Sequence, residues 1–246
     1  MAELHVLRVF CDEDGGGGNP LGVFVAGAEV PAERRQETAA ELGFSETVFV
    51  DDAQRGEIRI FTPATELPFA GHPVVGTAWL LAREGAPVTV LRPPAGEVPV
   101  RREEGIAFAA ARPEWCPPFE FVQAGSPADV DALDGPPEGH DLVDVWAWID
   151  EAAGLVRARV FPPRYGIAED EATGSAAVRL GALLGRPLDI RQGMGSRILA
   201  RPLGDGMVEI GGRVELDEVR AHHARPRGER RRSLRAGPPA RRTRSR

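Results

Sequence analysis

Apolar residues recur in this chain with two periods. Alternating or short apolar runs at residues 5–11, 22–26, 46–51, 57–62, 87–91, 97–101 and 106–110 predict strands. A second set lies at 142–149, 155–161, 188–191, 197–202 and 207–214. Helical spacing appears over 31–42, 73–84 and 173–184, and glycines Gly43, Gly85 and Gly185 follow these segments. The last two helices are apolar on nearly every side. Val74, Val75, Ala78, Trp79, Leu80 and Leu81 fill the first, and Ala176, Ala177, Val178, Leu180, Leu183 and Leu184 fill the second. A helix without a polar face has to be buried. With several strands around each one, the economical arrangement is a sheet wrapped around a central helix.

The arrangement is written twice. Arg59-Ile60-Phe61-Thr62-Pro63 leads through an acidic turn to Gly71-His72 and an apolar run. Arg159-Val160-Phe161-Pro162-Pro163 leads through Glu169-Asp170-Glu171 to Gly174-Ser175 and a second apolar run. Each reads as strand, acidic turn, glycine, polar residue, buried helix. The expected fold is α+β, with two similar domains, each a mixed or antiparallel sheet around a buried helix. The proline-rich stretch 113–118 sets the expected boundary, giving domains at 1–112 and 113–219. Residues 125–140 read as loop.

Charge separates a third segment. Residues 220–246 hold eleven arginines and one acid, leaving nineteen arginines against 36 acids in 1–219. This tail lacks apolar periodicity and is expected to be disordered. It offers the one route to nucleic-acid binding, which the absence of interleaved aromatic residues makes the weaker reading. All 30 basic residues are arginine, so a lysine Schiff base and a lysine-bearing phosphate loop are excluded. Cys11 and Cys116 stand far apart, without the spacing of a disulfide framework or zinc site. No run is long enough to span a bilayer, no signal peptide is evident, and the expected location is cytoplasmic.

A helix N-terminus carries free N–H groups and the positive end of the dipole. Two such ends facing one cleft would hold a small carboxylate from both sides. His72, at the first of them, either handles a proton or only caps and packs. Glu169 and Asp170 precede the second, where an acid ordinarily caps. Glu46, flanked by Ser45 and Thr47 among apolar neighbours, is either a carboxyl tuned for acid–base work or a solvent-facing strand residue. Asn19 reads as a turn residue or a substrate-contacting amide.

Several of these pieces occur together in one known family. Gly18-Asn19-Pro20-Leu21-Gly22-Val23-Phe24, Leu42 to Val50, Ile60 to Pro63, Glu66 to Pro73, Glu169 to Ala176 and Arg191-Gln192-Gly193 resemble, in order, the PhzF-like isomerases of the diaminopimelate epimerase-like fold. The resemblance implies a helix-in-sheet pair, a homodimer, and neither metal nor organic cofactor. It implies that Glu46 carries the proton, that His72 and Asp170 assist, and that Ser45, Asn19, Gly71, Gly174 and Ser175 contact the substrate. Epimerase relatives use a cysteine at each helix start. His72 and Ser175 stand there instead, which excludes two-thiol chemistry. The expected activity is isomerisation of a small carboxylate, with a non-catalytic ligand- or partner-binding protein as the alternative. The short stretch 119–149 and the trimmed turn 194–197 depart from the family pattern.

Overall fold

The computed structural model describes residues 2–222, and in it the alternating segments pair into one mixed sheet of fourteen strands. The N-terminal half contributes β1 (Ala2–Cys11), β2 (Gly17–Phe24), α1 (Ala32–Leu42), β3 (Glu46–Asp52), β4 (Glu57–Phe61), β5 (Glu66–Leu67) and α2 (Gly71–Arg83). It continues with β6 (Val90–Leu91), β7 (Val98–Glu103) and β8 (Ile106–Ala111). The C-terminal half contributes β9 (Glu120–Gln123), α3 (Pro127–Asp131), β10 (Val143–Asp150), β11 (Leu155–Phe161), α4 (Gly174–Leu184), β12 (Leu188–Gln192), β13 (Ser196–Pro202) and β14 (Val208–His222).

The strand order is β5-β4-β3-β2-β1-β14-β13-β12-β11-β10-β9, with β8 attached to β14 and carrying β7 and β6. The pairs β2/β3, β9/β10 and β11/β12 are parallel. β14 joins the halves: Val208 to Gly212 pair with β8, and Arg213 to His222 pair with β1. A cut at residue 112 therefore leaves one strand common to both sides.

That strand corrects one expectation. Arg220, Ala221 and His222, read above as the start of a disordered tail, pair with Leu4, Glu3 and Ala2. Backbone pairing with β1 extends the strand past the point where its apolar alternation ends, and His222 packs edge-on against Phe24. The remainder of the arginine-rich segment lies outside the described residues.

Both central helices are buried as their composition requires. Val74, Val75, Leu80 and Leu81 of α2 have no exposed surface, and each contributes roughly 1.5–3 kcal/mol by leaving water. α2 packs on β1, β2, β3, β7, β8 and β14, and α4 packs on β13, β14 and α2. α4 is less enclosed than expected: Leu183, near its C-terminal end, is 62% exposed. α1 and α4 end on the left-handed glycines Gly43 and Gly185. The segment read as loop contains α3, capped by Ser126, whose side chain accepts from the Asp129 amide. β9 and α3 span 4 and 5 residues, too few for a periodicity to register.

Candidate active site

The two matched helix starts meet. A Cβ placed on Gly71 would lie 2.6 Å from Gly174 Cα and 2.8 Å from Ser175 N; one on Gly174 would lie 2.8 Å from Gly71 Cα. Backbone approaches this close admit only glycine. Neither helix has a side-chain cap: Ala70 precedes α2, and Thr173 precedes α4 without bonding to it. The first-turn donors of both helices are thus gathered in one place, as an anion site requires.

Glu46 opens β3 and His72 lies in the first turn of α2. His72 Nε2 and Glu46 Oε2 are 3.4 Å apart, on side chains only 4% and 15% exposed. The contact lacks the alignment of a hydrogen bond, and neither atom has another hydrogen-bond partner. The imidazole also bonds to the carbonyl of Pro20, so its other nitrogen, Nδ1, carries the proton. Burial holds His72 down to about 3, so the ring is neutral and the pair is not an ion pair. Nε2 then presents a lone pair to Glu46. Burial, and after it the charge of Asp170, pushes Glu46 well above the usual carboxylate range.

Asp170 is held differently. Its Oδ1 accepts from Asn19 Nδ2 at 2.8 Å, and its Oδ2 accepts from Thr173 Oγ1 at 2.6 Å. Burial raises Asp170 too, but these two bonds favour its charged form. Of the two carboxyls, Asp170 is therefore the one kept ionised and Glu46 the one that holds a proton more tightly. Behind Asp170, Glu169 makes a two-pronged ion pair with Arg159 of β11, at 2.8 and 2.6 Å, which ties the acidic turn to the sheet. Neither acid caps α4.

Glu46, Asp170, Thr173 and Ser175 line a small cavity, with Phe69 and Phe119 among its apolar walls. A wider cleft adjoins it, shares Thr62, Tyr165, Ile167 and Asp170, and reaches Ser45. Among the described residues no arginine lines either one. The polar part of this described lining is hydroxyl and carboxyl groups, Thr62, Tyr165, Thr173 and Ser175 beside Glu46 and Asp170. Gly71, His72 and Gly174 are not among the lining residues, but their chain neighbours Ala70, Thr173 and Ser175 are. Among the described residues no group of three or more His, Cys, Asp or Glu is placed to hold a metal ion.

A model of phenazine biosynthesis-like proteins matches residues 7–118. Trans-2,3-dihydro-3-hydroxyanthranilate isomerase of Pseudomonas aeruginosa is 33% identical over 252 aligned residues, covering 79% of this chain and 90% of the relative. The chain belongs to the phenazine biosynthesis-like PhzF family. It is a PhzF-like isomerase. The fold agrees: a PhzC/PhzF protein from Clostridium difficile superposes with a TM-score of 0.74 at 20% identity, covering 91% of this chain and all of the other. A hydroxyproline epimerase from Agrobacterium vitis reaches 0.57 at 11% identity, over 89% of this chain and 91% of its own.

Within this PhzF-family chain, Glu46, Asp170 and Ser175 line the cavity and Ser45 the adjoining cleft, whereas Asn19, Gly71, His72 and Gly174 line neither. Asn19 is 2% exposed, and its amide is fully engaged: Nδ2 donates to Asp170 and to the Ala172 carbonyl, and Oδ1 accepts from Ser45 Oγ at 3.0 Å. It bridges β2 to the turn before α4 instead of facing the cavity. The trimmed turn 194–197 is a tight connection in which Glu171 accepts from Met194 N and Ser196 Oγ. Cys11 and Cys116 are buried away from the helix starts, and burial pushes their thiols up to about 11 and about 12.

Two participants escaped the sequence reading: Thr173 as a partner of Asp170, and Gln192, which bonds to both. A signal for Gln192 was present. In Leu188-Asp189-Ile190-Arg191-Gln192 it occupies the inward phase of an alternating strand, where an apolar residue belongs.

Proposed function

We propose that this PhzF-like isomerase moves a proton between two carbons of a small carboxylate, with Glu46 as the carrier and without an organic cofactor. The observation that carries this reading is Glu46 Oε2, buried without a hydrogen-bond partner 3.4 Å from a neutral imidazole, beside two uncapped helix starts. A buried acid left without a partner is costly unless a ligand completes it.

In this reading the substrate carboxylate lies against the N–H groups of Gly71, Gly174 and Ser175 and the Ser175 hydroxyl. Glu46, ionised, takes a proton from one carbon; the electron pair moves along the neighbouring double bond; and the same carboxyl returns the proton to another carbon on that face. Atoms are neither gained nor lost. His72 accepts a hydrogen bond from Glu46 in its protonated form, which stabilises the loaded carrier. Asp170 stays charged and orients a donor group of the substrate. The same reading includes a homodimer, to be checked by light scattering of the full chain.

The first compound to test is trans-2,3-dihydro-3-hydroxyanthranilate, named as the substrate of the Pseudomonas aeruginosa relative. Proton NMR in heavy water reads both conversion and label. Turnover with deuterium entering at carbon supports the reading. Binding without exchange, here and across a panel of small unsaturated carboxylic acids, contradicts it and supports a ligand-binding role.

A further inference from the structure

Two chains of directed hydrogen bonds end on Asp170, one from each half of the molecule. From the N-terminal half, Ser45 Oγ donates to Asn19 Oδ1, and Asn19 Nδ2 donates to Asp170 Oδ1. From the C-terminal half, Gln192 Nε2 donates to Thr173 Oγ1 at 3.0 Å, and Thr173 Oγ1 donates to Asp170 Oδ2 at 2.6 Å. Gln192 is 2% exposed and Thr173 is 7% exposed, so no bulk water competes for these bonds.

The polarity of the second chain follows from Gln192. Its Oε1 accepts from the Thr173 backbone N–H at 3.1 Å, and its Nε2 donates to the Asp170 backbone carbonyl at 2.8 Å as well as to Thr173 Oγ1. The reversed amide would set an oxygen against the Asp170 carbonyl and a nitrogen against the Thr173 N–H, leaving both of those contacts repulsive. With an N–H already pointing at Oγ1, the single hydroxyl hydrogen of Thr173 is directed to Asp170. Both carboxylate oxygens of Asp170 are then met by donors. One amide at the end of β12 thus fixes the hydroxyl, the acidic turn and the entry to α4 together.

We propose that Gln192 is a positioning residue for the proton transfer: by fixing Thr173 as a donor it keeps Asp170 charged, so that the migrating proton is exchanged between Glu46 and substrate alone. The inference rests on the reading of Glu46 as the carrier. Without Gln192 the Thr173 hydroxyl can turn away, Asp170 loses a donor, and two adjacent acids compete for one proton.

The test is carbon-13 NMR titration of the full chain labelled at Asp and Glu side-chain carboxyls, with resonances assigned through Asp170→Asn and Glu46→Gln. In Gln192→Leu, Asp170 is expected to titrate about one pH unit higher, a tenfold change in its protonation equilibrium. Thr173→Val gives the same change, and the double variant adds nothing further, because both remove one donor. Thr173→Ser restores the unsubstituted titration. Gln192→Met serves if the leucine variant fails to fold: it keeps the length of the side chain, removes the donor to Oγ1 and adds no charge, and Asp170 again titrates higher. With trans-2,3-dihydro-3-hydroxyanthranilate as probe, kcat falls while KM holds, since the change lies in proton handling. An Asp170 titration unmoved in the folded Gln192 variants overturns the proposal and leaves Glu46 untouched. Retained exchange in Glu46→Gln overturns the carrier and leaves the titration result standing.

Discussion

Gly71 and Gly174 touch through their backbones at the point where the two halves of the chain repeat. Because a Cβ at either position would lie within 2.6–2.9 Å of the other helix start or of Ile210, no side chain fits there. The uncapped ends of α2 and α4 share one site only because both positions are glycine.

Gly71→Ala should separate the helix starts by a few tenths of an ångström or more and cost roughly 1–3 kcal/mol, the usual range for overpacking a close contact. Affinity for carboxylates should weaken further than for neutral analogues. Calorimetry with a matched acid and amide checks this, and equal losses for both would speak against a shared anion site.

Asn19→Asp should lower the melting temperature and depress activity more at pH 8 than at pH 5. The substitution turns a donor to Asp170 into a second carboxylate within hydrogen-bonding distance, and the repulsion grows as both ionise. Thermal melts and rates at the two pH values measure it. An unchanged pH dependence would show that the Asn19 amide does not bear on Asp170.

The repeat, the buried helices and most strands were legible in the sequence, because each rests on local periodicity. Gly43 and Gly185 end their helices as read. What was not legible depends on pairing between distant residues. β14 runs on through Arg220 to His222 because β1 lies beside it, and no local signal in Leu216 to His222 says so. The site was legible in part. Glu46, His72 and Asp170 were singled out by the family resemblance, since residue type alone left each an ordinary structural role, and the hydrogen-bond direction that separates Glu46 from Asp170 depends on Asn19 and Gln192, which lie 173 positions apart in the numbering.

Asp144, on β10, is 2% exposed, has an Oδ1 without a hydrogen-bond partner, and is pushed by burial from 3.8 to about 7. A folded-state pKa above the unfolded one means that stability is full below pH 3.8 and is lost as pH rises toward 7, by at most ~4 kcal/mol. Asp144→Asn should therefore raise the melting temperature at pH 8 and change it little at pH 4. A gain that is the same at both values would mean that the charge is not the cause.

His72 has the opposite sign. Its folded pKa of about 3 lies below the ordinary 6.5, so the unfolded chain takes up a proton that the folded one refuses. This contribution to stability is present above pH 6.5 and is lost as pH falls toward 3. In His72→Gln, acid unfolding should begin at lower pH than in the unsubstituted chain. Unfolding at an unchanged pH would mean that His72 is not held neutral.

Glu46 is the proposed proton carrier, and its substitution decides the matter. Glu46→Gln keeps the shape of the side chain and removes its acid–base capacity. With trans-2,3-dihydro-3-hydroxyanthranilate in heavy water, or whichever acid the unsubstituted enzyme turns over, the variant should bind normally. It should lose at least about a hundredfold in rate and in deuterium incorporation at carbon. Incorporation at the unsubstituted rate would contradict the assignment of Glu46 as the proton carrier.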